Sequence, residues 1–304
     1  MELDINLYGP YARGSALADF LELLALQGEV PTKQMLGDAI RRNSWTTLPR
    51  QLFTSIGSQI EEITSDDDAE WADWTFTALR ERAQNLGDRY PFHVGPDALS
   101  LRAGVDPFAD YVRLLAITTA HSRRYKSGPD PRTLFELMTV ACLKNAGFES
   151  YGMGTATTKG SDFPTSLASA GQALGFNASK TPEPRHVYAK DAGVDAIGTF
   201  SWGDQRSGHM FWLAQATCGS SVYWERKIRE PRTHHWMSYL SEDLEPLAIL
   251  AVPHHVEHDH FNFLLEPKAT VMDRLRMVGR LDPIQPAEID LIDWLLNSVW
   301  RLED

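Results

Sequence analysis

A chain of 304 residues, 43% hydrophobic and 23% charged, has room for one or two domains with a substantial core. Its net charge of −12 argues against general nucleic-acid affinity, since phosphate is repelled at long range, although a local basic strip can coexist with an acidic remainder. No stretch approaches the roughly 18 apolar residues of a membrane span, Met1 to Asn6 lack the basic and apolar regions of a signal peptide, and two cysteines, Cys142 and Cys218, are too few for a disulfide framework or a zinc finger, so a reducing cytoplasm is the expected setting.

The first third reads as mainly helical. Ala16 to Leu26 has helical periodicity, and Pro31 to Arg42 suits a helix opened by proline. A third helix is expected over Asp68 to Leu86, where Asp66, Asp67, Asp68 and Glu70 favour the positive end of the helix dipole. Tyr90 to Leu101 has short strand or turn character, and Pro107 to Arg123 is helical again. Ser127-Gly128-Pro129-Asp130-Pro131 is the clearest punctuation, so a boundary is placed there: a helical region over 1–128, then a second domain over 129–304.

The rhythm then changes. Pro131 to Ala146 predicts a helix closed by Gly147, and Phe163 to Leu174 predicts another. Val194 to Trp202 and His209 to Thr217 predict two strands joined by a hairpin loop over Gly203 to Gly208. A helical piece over Val222 to Ile228, a buried strand over Leu247 to Val252, and helices over Ala269 to Val278 and Ala287 to Trp300 complete the chain. Such an order indicates an α/β or α+β layer fold.

The chemistry concentrates in Asp191-Ala192-Gly193-Val194-Asp195 and in Phe211-Trp212-Leu213-Ala214-Gln215-Ala216-Thr217. An aspartate at the edge of an apolar strand needs a partner, and the next strand supplies the amide oxygen of Gln215 after a buried run. In a hairpin the two side chains converge, and few hard oxygen ligands suit Mg²⁺ or Mn²⁺. Such an ion lowers the pKa of bound water and stabilises charge on phosphate.

Helix Phe135-Glu136, Asp-x-Gly-Val-Asp at 191–195 and Gln-x-x at 215–217 together resemble the PD-(D/E)xK nuclease superfamily, closest to its Mrr-like restriction-endonuclease branch, over roughly residues 131–255. The resemblance implies a small mixed sheet flanked by helices and a metal site. Glu136 matches the helix acid, Asp195 the central metal-binding aspartate and Gln215 the Glu/Gln ligand, with the Ala216 backbone carbonyl as a further ligand. Thr217 stands where the family has its catalytic lysine. Lys227 on the following helix is the first candidate to supply it and Lys190 the second; a lysine-free site is the alternative. Glu136 can also be read as an ion-pair partner of Arg132.

The implied activity is metal-dependent hydrolysis of DNA, in bacterial restriction or antiphage defence. Two basic groups are candidate DNA contacts: Arg123, Arg124 and Lys126 before the boundary, and Arg226, Lys227, Arg229 and Arg232 beside the site. A helix C-terminus is the plainer reading of the first group. The alternative function is a catalytically degenerate subunit that binds DNA or a partner protein such as a helicase. The run His254-His255-Val256-Glu257-His258-Asp259-His260 reads as a solvated loop at the rim, or, as a third possibility, as a metallohydrolase site. Trp71, Trp74, Trp212, Trp224, Trp236, Trp294 and Trp300 are expected to pack rather than stack on bases.

Overall fold

The computed structural model describes residues 13–42, 50–53, 60–63, 68–154, 162–179, 192–200, 202, 206, 208–241, 244–265 and 269–300. Helices α1 (Arg13–Leu26), α2 (Lys33–Arg42), α3 (Asp68–Leu86) and α4 (Asp110–Ser122) form the first part, with two small antiparallel hairpins. These are β1 (Arg50–Phe53) with β2 (Ile60–Ile63), and β3 (Phe92–Val94) with β4 (Leu99–Leu101). Lys190, Asp66, Asp67 and most of the 203–208 loop lie outside the described residues.

The second part is built on a five-stranded mixed sheet. In chain order come α5 (Pro131–Asn145), β5 (Glu149–Gly152), α6 (Phe163–Leu174), β6 (Ala196–Phe200), β7 (Met210–Ala216), α7 (Trp224–Lys227), α8 (Thr233–Leu240) and β8 (Leu247–Ala251). Next are α9 (His258–Leu264), β9 (Ala269–Met272), α10 (Arg274–Met277) and α11 (Pro286–Asn297). The strands lie in the order β5-β6-β7-β8-β9. The first three are antiparallel neighbours, and β8 and β9 join in parallel. This is the mixed sheet flanked by helices that the sequence predicts.

Each strand divides its side chains between two faces, as a pleat requires. Ala196, Ala214, Ile249 and Ala251 face α5 and the helical core. Ile197, Phe211 and Leu213 face the other way, against Leu167 and Leu174 of α6 and Trp236 and Leu240 of α8. Leu250 and Val271 meet Trp224, Ile228 and Leu264. The small residues Ala196 and Ala214 let α5 lie close over the sheet. Asp130 caps that helix by accepting from Arg132 N at 3.0 Å, and Pro131 opens it.

Three stretches differ from expectation. Ala269 to Val278 is not one helix: residues 269–272 are β9, Asp273 then caps the short α10 by accepting from Arg276 N, and the pairing with β8 overrides local propensity. The His254–His260 run is not a solvated loop: His254, His255 and His260 are buried, and the run ends in α9. Strand β5 and helix α8 carry too little periodicity to be legible in advance.

One hydrophobic cluster holds Leu17, Phe20, Leu79, Leu114, Phe135, Ala214, Met272 and Trp300, residues from both sides of the expected boundary at 128. A buried charge network crosses it too. Arg82 donates to Asp19 Oδ1 at 2.7 Å and Glu22 Oε1 at 2.9 Å, and Arg274 makes a forked pair with Asp19 at 2.8 Å on each oxygen. The Tyr90 and Tyr111 hydroxyls donate to Glu22 at 2.5 and 2.7 Å. Paired guanidinium groups hold Asp19 down to a pKa of about 2 against burial, which alone would raise it.

Candidate functional site

Asp195 sits one residue before β6. The β6–β7 register pairs Ala196 with Ala214, so one step further sets Asp195 opposite Gln215 on the same face of the hairpin. The side chains touch: Gln215 Nε2 donates to Asp195 Oδ2 at 2.5 Å. The Ala216 N–H donates to the same oxygen at 2.8 Å. Both residues are buried. Main-chain bonds pin Asp195 on two sides, its N–H to Ala214 O at 2.8 Å and its carbonyl to the N–H groups of Met153 (2.7 Å) and Gly154 (3.0 Å).

The other carboxylate oxygen faces α5. A Cβ on Gly154 would stand 2.5 Å from Glu136 Oε2 and 3.1 Å from Asp195 Oδ1. The two carboxylates therefore approach one point over a residue whose missing side chain makes the space. Gly154 was not legible as a site residue; the only sign was glycine recurring in Tyr151-Gly152-Met153-Gly154. Gly193 has a similar role one step away. Its φ of +75° is a left-handed conformation that L side chains rarely adopt, and a Cβ there would meet the Glu230 carbonyl oxygen at 2.8 Å. The glycine of Gly-Val-Asp thus lets the loop after α7 pack directly against the strand that carries Asp195.

The Gln215 amide is turned so that its nitrogen meets Asp195, which makes it a donor holding the carboxylate. The same nitrogen lies 3.4 Å from the Ala216 carbonyl oxygen, which faces the site. Among the described residues no group of three His, Cys, Asp or Glu side chains could hold a metal ion. The oxygen donors available here are two carboxylates and a backbone carbonyl, a set suited to a hard cation that keeps most of its waters.

Thr217, at the family's lysine position, is engaged in a turn: its N–H bonds to Ala251 O at 3.0 Å and its hydroxyl accepts from Gly219 N at 3.0 Å. Lys227 Nζ lies 2.6 Å from Glu230 Oε2. Its neighbours are also balanced by acids, Arg229 by Glu225 at 3.3 Å and Arg226 by Glu230 at 3.7 Å, with the Arg226 guanidinium over the Tyr223 ring. Arg232 is exposed just before α8. Arg132 pairs with Asp130 at 2.8 Å rather than with Glu136. In the other group, Arg123 lies over the Trp300 ring, while Arg124 and Lys126 are exposed. The named tryptophans pack as expected: Trp71, Trp224, Trp236 and Trp300 are buried, and Trp74, Trp212 and Trp294 lie against the core.

The histidines do not gather into a metal site. His254 Nε2 bonds to the Cys218 carbonyl at 3.2 Å, and His260 stacks on Trp224 with the rings 13° from parallel. Burial pushes His254 down to about 4 and His260 to about 3, so both are neutral near pH 7. Burial raises the Cys218 thiol, with Asp130 and Glu136 adding and Arg132 opposing, so it stays protonated. No helix among the described residues is long and apolar enough to cross a membrane. Comparison of the chain with known protein families, with curated proteins and with solved structures finds no match.

Proposed function

We propose that the chain is a divalent-metal-dependent deoxyribonuclease of the PD-(D/E)xK type, Mrr-like branch, with Glu136, Asp195, Gln215 and the Ala216 carbonyl at its centre. The observation that carries the reading is the approach of the Glu136 and Asp195 carboxylates to one point over Gly154. Two like charges brought together from separate elements call for a cation or a proton between them. A bound Mg²⁺ or Mn²⁺ supplies Lewis-acid stabilisation of phosphate charge and a more acidic water. The protein's part is to hold the donors. Gln215 and the Ala216 N–H fix Asp195 Oδ2, which turns Oδ1 toward Glu136. With its amide turned over, Gln215 would instead offer its oxygen to the ion.

Lys227 is the residue assigned to phosphate charge and water orientation, and it must exchange Glu230 for substrate to do so. Arg226, Arg229, Arg123, Arg124 and Lys126 are the assigned DNA contacts. Bacterial restriction or antiphage defence in the cytoplasm is the setting the resemblance implies. A second reading is favoured by Thr217 and by the Lys227–Glu230 pair: a catalytically degenerate subunit that keeps the fold and binds DNA or a partner such as a helicase.

The test is plasmid cleavage by purified protein with Mg²⁺ or Mn²⁺, alongside Mn²⁺ binding. Asp195→Asn should lower cleavage by about 100-fold or more and abolish Mn²⁺ binding. Mn²⁺ binding that depends on Asp195, with DNA left uncut, supports the degenerate subunit. Wild-type protein that binds no Mn²⁺ removes the metal site altogether.

A further inference from the structure

The buried His254 takes no part in the proposed chemistry, yet it contacts the turn on which that chemistry depends. After Gln215 and Ala216 the chain turns through Thr217, Cys218 and Gly219. Every polar main-chain group named in this turn is held. Thr217 N–H bonds to Ala251 O at 3.0 Å, and Gly219 N–H bonds to Thr217 Oγ1 at 3.0 Å. The Gly219 carbonyl accepts from Trp224 Nε1 at 2.9 Å. The Cys218 carbonyl meets His254 Nε2 at 3.2 Å, and since a carbonyl only accepts, Nε2 carries the proton.

The segment that carries His254 is tied in the opposite direction. The Pro253 carbonyl accepts from Thr118 Oγ1 and from Arg274 Nε, each at 2.9 Å. The His254 carbonyl accepts from Arg274 N at 2.9 Å, and the His255 carbonyl accepts from Ser15 Oγ at 3.0 Å. Arg274 and Ser15 belong to the buried network: Arg274 grips Asp19, and Arg82 Nη2 donates to Ser15 Oγ at 2.6 Å. An unbroken run of hydrogen bonds thus leads from α1, α3 and α4 to the turn two residues beyond Ala216.

We propose that His254 is a positioning residue, whose Nε2–H fixes the Cys218 carbonyl and so sets where the Ala216 carbonyl and the Gln215 amide stand, with the helical N-terminal part as its anchor. The proposal rests on the metal site argued above. It gives the N-terminal helices a task other than substrate binding: they hold the site's geometry from behind.

The test compares His254→Leu, which removes the donor, with His254→Gln, whose amide nitrogen can replace Nε2. Leu291→Ala in α11 serves as a control for general loss of stability, because Leu291 is buried in the main core. Two readouts are taken on full-length protein: Mn²⁺ affinity, and amide hydrogen exchange at Ala216 and Gly219. His254→Leu should weaken Mn²⁺ binding by about tenfold or more and speed exchange at both amides, and His254→Gln should restore most of each. If His254→Leu matches Leu291→Ala in both readouts, or speeds exchange without moving Mn²⁺ affinity, the positioning role is overturned. If wild-type protein binds no Mn²⁺ that Asp195→Asn abolishes, the metal site fails and the role falls with it. That failure is recognisable because His254→Leu alone would still loosen the turn.

Discussion

The two oxygens of Asp195 face different partners, and that division is the basis of the residue-scale argument. One accepts from Gln215 and from the Ala216 N–H; the other lies with Glu136 over Gly154. Gly154→Ala should therefore push Glu136 aside, because its carboxylate end is the mobile party. Mn²⁺ affinity should drop by about tenfold with a stability cost near 1 kcal/mol, measured by calorimetry and urea unfolding. Asp195 and Gln215 were legible in the sequence because a polar residue in an apolar run has to find a partner. Gly154 was not, because the need for it arises from a helix and a strand distant in sequence.

At the scale of elements, the loop after α7 packs onto Gly193. A side chain there would meet both a left-handed backbone and the Glu230 carbonyl. Gly193→Ala should cost about 1–3 kcal/mol in urea unfolding and lower Mn²⁺ affinity through Asp195, two residues on. A loss below the scatter of surface substitutions would show that the loop simply moves away. Helices α3, α5 and α6 were readable because each has a long periodic run or a clear cap, as Asp162 provides for α6 by accepting from Thr165 N. Strand β9 was not, since Ala269-Thr270-Val271-Met272 is short and its state is decided by β8. The His254–His260 run misled for the opposite reason: polar residue types suggest solvent, whereas carbonyl and aromatic partners take them inside.

Over the whole molecule, buried charge and buried imidazole set the response to mutation and to pH. Asp19→Ala leaves Arg82 and Arg274 without their shared carboxylate, and it should cost about 3–5 kcal/mol, lowering the melting temperature by calorimetry. For pH, His254 and His260 have folded pKa values of about 4 and 3 against an ordinary 6.5, and burial lowers His255 as well. The unfolded chain takes up protons first, so their contribution is present above pH 6.5 and is lost as pH falls toward 4. Asp273 opposes this: burial raises it to about 6 from 3.8, so its protonation favours the folded state in part of the same range. Three histidines against one aspartate leave a net loss of a few kcal/mol, to be read from urea midpoints across that range. A stability curve flat from neutrality to pH 4 would mean that these rings admit water. The cluster that joins Leu17 to Trp300 has a consequence for ancestry as well. A piece of chain cut at Ser127 and carried into another gene would arrive with half its interior missing, so the two parts are expected to be inherited together, and partial digestion at that loop should release no fragment able to refold alone.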